Sequence, residues 1–196
     1  MVIVDKVNKY IKVHPEILFF IKLISFYFSF DYFNYFWTGL CVPGNLYSQF
    51  ADKYLNYHDY LKSSMSSTVG FFSDLLGYKT TFIKDRISVV NGFGVVIADA
   101  CSGIGIMSVW AAFALAFPAN TKKKVKWLIG GLFAIWFINV IRIFALLIAV
   151  NQGKNVDINK FGEHHDVFNA FAYGLIVLMI YFYTKSSSKK PQKTKQ

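Results

Sequence analysis

Residues 127–150 read WLIGGLFAIWFINVIRIFALLIAV, and this run decides the class of fold. Twenty-four residues with a single charge, Arg142, exceed the roughly 20 apolar residues that a helix needs to cross a bilayer core. Working outward, a second run, SGIGIMSVWAAFALAFP, lies just upstream at 102–118, and a third, VFNAFAYGLIVLMIYFYT, lies downstream at 167–184. The glycines, serines and alanines of 102–118 suit close helix packing. A fourth, strongly aromatic run occupies 17–37 and contains Lys22 and Asp31. No small-residue cleavage site follows it, so it reads as a retained anchor rather than a signal peptide. The TGLC at 38–41 lacks the small residue expected before a lipidated cysteine. Composition agrees with a chain in lipid. The 196 residues are 55% hydrophobic, 19% aromatic and only 16% charged, against about 25% charged in a typical soluble domain.

Charge gives the orientation. The net charge of +10 could suggest nucleic acid, but its distribution excludes that partner. The segment before the first run, the loop after Pro118 and the tail hold twelve lysines against only Asp5 and Glu16. Segments 38–100 and 151–166 hold seven basic residues against eight acidic ones. All the basic excess thus sits in segments that one arrangement of four spans places on a single side, and the positive-inside rule makes that side cytoplasmic. The lysines also suit contact with anionic lipid. Both chain ends are then cytoplasmic, and 38–100 faces the extracytoplasmic side. The organisation expected is a cytoplasmic N-terminus at 1–16, one membrane-embedded domain at 17–184 and a disordered basic cytoplasmic tail at 185–196, SKKPQKTKQ at its end.

Between the first and second runs the pattern changes. Residues 40–62 are polar and aromatic with a break at Pro43-Gly44, and 63–77 predict an amphipathic helix ending at Gly77. Residues 78–99 are β-branched, with Lys84-Asp85 and Asn91-Gly92 as turn signals. They predict a small hairpin at the membrane surface, because an open sheet cannot sit in lipid. The expected fold is therefore an all-α membrane protein, a four-span helical bundle with a peripheral helix and a small extracytoplasmic β-hairpin.

Three features are costly in a membrane and so point to chemistry. Arg142 lies in a span, and Asn139, three residues earlier, shares its helix face. It either snorkels to headgroups or serves as an electrophilic, anion-stabilising group. Cys101, in Asp99-Ala100-Cys101-Ser102-Gly103, sits where a helix begins. The helix dipole and free N–H groups there favour a thiolate and a developing oxyanion. The alternative is a small buried hydrophobe. His164-His165-Asp166 opens the last run, where a histidine is a general base near neutral pH and Glu163 or Asp166 could orient it. The alternative is a polar helix cap. In the four-span arrangement all three features fall on the extracytoplasmic side of consecutive spans, as an acyl-transfer constellation requires. The two cysteines, Cys41 and Cys101, form no C-x-x-C and no Cys/His cluster, so no metal and no cofactor is expected. A disulfide between them is compatible with an oxidising compartment.

The string ACSGIGI, then NVIR, then His165-x-x-x-Asn169 opening the last helix resembles the exosortase/archaeosortase family over about residues 63–180. So does the lead-in, a helix ending LLG followed by a β-rich segment and DACSG. The resemblance implies a membrane cysteine protease/transpeptidase with Cys101 as nucleophile, Arg142 stabilising thiolate or oxyanion, and His165 as general base and acid. Asn139, Ser102, His164 and Asp166 would support them. Asn169 stands where the family histidine is commonly followed by glycine, which leaves His164 and His165 both open as the base. The chain resembles the short bacterial form, without extra N-terminal spans. Its implied partner is an exported protein ending in a short motif, one membrane helix and a basic tail, with an acceptor of unknown chemistry. A groove among residues 102–184 would accept the substrate helix, with segment 38–100 at its mouth. Two rival classes fit the same composition: a non-catalytic component of polysaccharide export or assembly, and a small transporter using Arg142 as an anion site.

Overall fold

The computed structural model describes residues 15–44, 46–83, 85–98, 102–152 and 161–188, with side chains in the last stretch from 173 to 187. Expectations for residues 1–14 and 189–196 fall outside the described residues. The elements run α1 (Pro15–Cys41), α2 (Gln49–Leu55), α3 (Tyr57–Leu75), β1 (Thr80–Ile83), β2 (Arg86–Val89), β3 (Gly94–Val96), α4 (Ile104–Ala116), α5 (Thr121–Asn151) and α6 (Phe161–Ser188).

The protein is mostly helical, with a helix at each apolar run. α1 opens on Pro15 with Glu16 in its first turn, residues suited to the missing donor and positive dipole of a helix start. It packs along α4 in the opposite direction. Phe19 meets Phe113 edge-on at 5.8 Å between ring centroids, and near the other end the Asn34 amide donates to Ser108 Oγ at 2.9 Å.

α5 is the central element, and each of its halves meets a different set of partners. Its N-terminal half packs with α4 and α6 around buried Trp110, Ala114, Ile135, Met179 and Tyr183. The Trp110 indole donates to the Trp127 carbonyl at 3.2 Å, and the Tyr183 hydroxyl donates to the Ala114 carbonyl at 3.2 Å. Gly131 is required here, since a Cβ would lie 2.0 Å from Trp110 Nε1. Two lysines of the loop read from sequence as a charge marker have a further task. Lys124 donates to the Leu115 carbonyl at 2.7 Å, and Lys123 to the Ser186 carbonyl at 2.9 Å. Each neutralises the carbonyl-rich, negative end of a neighbouring helix. The C-termini of α4 and α6, the start of α5 and the start of α1 therefore share one end of the bundle.

At the other end, α3 and the sheet pack on the C-terminal half of α5 around Met65, Val69, Ile87, Ile97, Val140, Ile143 and Leu147.

Three local expectations change. The expected hairpin is a three-stranded antiparallel sheet in the order β1-β2-β3. Both turn signals are used, around Asp85 and at Asn91-Gly92, where Asn91 takes φ +60. The amphipathic helix begins at Tyr57 rather than 63, because Asn56 caps it by accepting from the Asp59 N–H at 3.3 Å. It ends before Gly77, at φ +83. Ser48 caps the short α2, which the polar composition of 40–62 hid. Among the described residues, one helix, α5, is long and apolar enough to cross a membrane by length and composition alone. α4 is apolar but only 13 residues long, and α1 is diluted by Lys22, Asp31 and its tyrosines and serines. Four spans are thus more than these criteria by themselves give.

Candidate functional site

The polar face of α5 meets the start of α4. Gly103 is the N-cap of α4 and takes φ +77, a left-handed conformation that favours glycine. Its Cα lies so close to Asn139 that a Cβ would come within 2.1 Å of the Asn139 amide nitrogen. That nitrogen donates to the Ile135 carbonyl at 3.0 Å, which holds the side chain along its own helix. Asn139 is 5% exposed and Arg142 8%, so the guanidinium is buried rather than spread at a surface. Ser102 is fully buried at the same junction. The structure thus brings Gly103 against Asn139, with buried Ser102 next to Gly103 in sequence and buried Arg142 one helical turn along α5 from Asn139. Cys101, immediately upstream of Ser102, lies outside the described residues. His164, His165 and Asp166 lie on the first turns of α6, and their side chains lie outside them as well.

The segment that leads toward Cys101 is anchored from α3. Lys62 is 6% exposed and its ammonium lies 3.1 Å from the Asp85 carboxylate. The Asp85 carbonyl in turn accepts from the Ile97 N–H at 2.7 Å. Sequence reading counted Lys62 among exposed charges. The signal that could have found it is helical spacing: Lys62, Met65, Ser66, Val69 and Ser73 form one buried stripe once α3 starts at Tyr57.

Two further groups were not singled out in the sequence. Asn34 of α1 links Ser108 of α4 to Tyr57 of α3, whose hydroxyl donates to the Asn34 side-chain oxygen Oδ1. This knot lines an apolar groove of about 580 Å³ between α1, α3, α4 and α5, walled by Phe30, Phe33, Tyr60, Met107 and Leu132. The groove runs beside the first turns of α4. It draws on α1 and α3 as well as on residues of 102–184.

Beside it is a polar cavity of about 290 Å³ lined by Cys41, Asp52, His58, Asp59 and Lys62. Cys41 is a free, buried thiol at the end of α1. Burial, with Asp52 and Asp59 nearby, pushes this thiol above its ordinary value. That is the opposite of what a nucleophile needs. Burial likewise raises Asp59, against the attraction of Lys62. Among the described residues no group of three or more His, Cys, Asp or Glu side chains is arranged to hold a metal.

The family profile of transmembrane exosortases matches residues 9–182. The chain belongs to the transmembrane exosortase family. The match covers every described element of the fold except the last residues of α6, and makes this a membrane protein. No curated protein and no solved structure gives a significant match.

Proposed function

We propose that this chain is a membrane-embedded cysteine protease/transpeptidase that cleaves the C-terminal sorting signal of exported proteins through a thioester at Cys101. The observation that carries the reading is the seat of Gly103 against Asn139, one turn from buried Arg142. It seats Gly103, two residues after Cys101, on the Asn139 face of α5, which supports the reading. An arginine buried in a membrane helix is costly unless it meets charge or carbonyl groups, and a thiolate or oxyanion at position 101 is the charge this site would generate.

In the proposed mechanism the Cys101 thiolate attacks the scissile carbonyl, and Arg142 and the first N–H groups of α4 stabilise the oxyanion. Collapse of the tetrahedral species breaks the C–N bond. His165, or His164 in its place, protonates the leaving amine. An acceptor amine or water then attacks the thioester, giving its proton back to the histidine, and the thiolate leaves. Ser102, Asn139 and Asp166 orient these groups.

Four spans, from α1, α4, α5 and α6, carry the site. The lysine-bearing end is cytoplasmic, and the α3–sheet end faces out. At about 1.5 Å per residue α4 is roughly 20 Å long, short of a core of about 30 Å. The reacting end is then recessed below the outer surface, level with the apolar groove that receives the substrate helix.

The test uses an exported reporter fused to the motif–helix–basic-tail ending of a co-encoded protein, expressed with the full chain. Cys101→Ala should lower reporter processing by about 10³-fold or more while the protein remains inserted. Undiminished processing by that variant refutes the mechanism.

A further inference from the structure

The sheet has two edges, and they differ in where their chains lead. The register pairs Ile87 with Val95 and Arg86 with Val96. The Ile97 N–H donates to the Asp85 carbonyl, and the Val89 N–H donates to the Phe93 carbonyl. Residues 95 and 97 therefore turn their backbone groups toward β2, as Phe93 does its carbonyl, while the Phe93 N–H goes to the Asn151 side chain of α5. By the alternation of an antiparallel ladder, Gly94 and Val96 turn theirs to the open side. Neither has a hydrogen-bond partner among the described residues. The side chains alternate too. Ile87, Val89, Val95 and Ile97 face the core, whereas Val96 is 58% exposed. β1 offers a similar edge at Phe82, which is 39% exposed, but its chain runs back to α3. β3 runs instead, five residues after Val96, to Cys101.

An unpaired edge strand is a template for an added strand unless it is capped or twisted away. A peptide bond presented to a nucleophile must be extended, and edge pairing is the recurrent way to hold it so, through main-chain bonds largely independent of its side chains. We propose that the open edge of β3, at Gly94 and Val96, binds the extended sorting-motif segment of the substrate as a fourth strand and delivers its scissile bond toward Cys101. This rests on the peptidase reading above. The apolar groove would hold the substrate's helix and the β3 edge the segment preceding it. Recognition is thereby divided between an apolar surface and main-chain hydrogen bonds.

Proline removes one edge N–H and is tolerated on an edge strand. Val96→Pro and Phe82→Pro are each introduced into the full chain in membranes and tested with the same reporter. Val96→Pro should lower processing at least about fivefold, the loss expected for one main-chain hydrogen bond. Alkylation of Cys101 by a membrane-impermeant maleimide should be unchanged, and Phe82→Pro should process within about twofold of the parent. Equal loss in both variants, or none in Val96→Pro, overturns the proposal.

If Val96→Pro disturbs folding, seen as altered Cys101 alkylation, a second measurement decides. Val96→Cys on a Cys41→Ala, Cys101→Ala background is oxidised with reporters carrying single cysteines at successive motif positions. Cross-links at every second position support strand pairing. A helical spacing, no cross-link, or a Val96→Cys dimer of the chain with itself overturns it. Loss of the peptidase reading is separately visible as full processing by Cys101→Ala.

Discussion

The two halves of α5 are built for different tasks. The N-terminal half is closed by aromatic rings and a glycine: Trp110, Tyr183 and Gly131 interlock, and the side-chain donors Trp110 and Tyr183 end on backbone carbonyls. The C-terminal half carries Asn139, Arg142 and Asn151, and meets α3, the sheet and the glycine start of α4. Packing in the first half sets the helix positions, whereas hydrogen bonds and one conformationally special glycine in the second set where a short loop lies. Apolar packing in lipid is strong in sum and weakly directional. Hydrogen bonds and a left-handed glycine are directional.

The largest effect that would sharpen this contrast is in the first half. Trp110→Ala should cost about 3–5 kcal/mol through lost contacts and a cavity, measured as unfolding of the purified protein in detergent. Proper Cys101 reactivity in whatever protein remains folded would show that this half is scaffold. Equal loss of Cys101 reactivity in the folded fraction would dissolve the division.

Next comes Gly103→Ala. It meets both an unfavourable φ and the Asn139 amide, each worth about 1–3 kcal/mol. Adding Asn139→Ala should recover the part due to the clash and leave the part due to the backbone. If the double variant were no better than the single, the close approach of α4 to α5 would not be as described.

The smallest effect concerns the sheet. Asn151 accepts from the Phe93 N–H at 2.8 Å and donates to the Phe93 carbonyl at 3.1 Å, tying the β2–β3 turn to the end of α5. Asn151→Ala should cost roughly 1 kcal/mol, seen as faster amide exchange of Phe93 and β3 with unchanged exchange in the Trp110 cluster. Unchanged exchange at Phe93 would mean that the tie is dispensable.

The long helices were legible because their signal is local. An apolar run long enough for lipid announces itself, as 127–150 does, and the lysines at 122–126 mark one end. Asn91-Gly92 likewise announced a turn whatever its partners. The start of α3 was misplaced because its cap, Asn56, lies in a polar stretch with no apolar periodicity to flag it. The third strand was missed because β3 is three residues long and gains its identity from pairing with β2.

The sequence by itself determined that this is a membrane chain, which segments are apolar helices, and that Arg142 is a charge set inside one of them. Only the tertiary structure decided that Arg142 is buried, that Gly103 rather than a bulkier residue must meet Asn139, that Lys62 is an internal anchor, and that Lys123 and Lys124 close neighbouring helices. The physical reason is the range of the forces. Transfer to lipid acts residue by residue and is written along the chain, whereas close approach and hydrogen bonding depend on which residues distant in sequence are brought within a few ångströms.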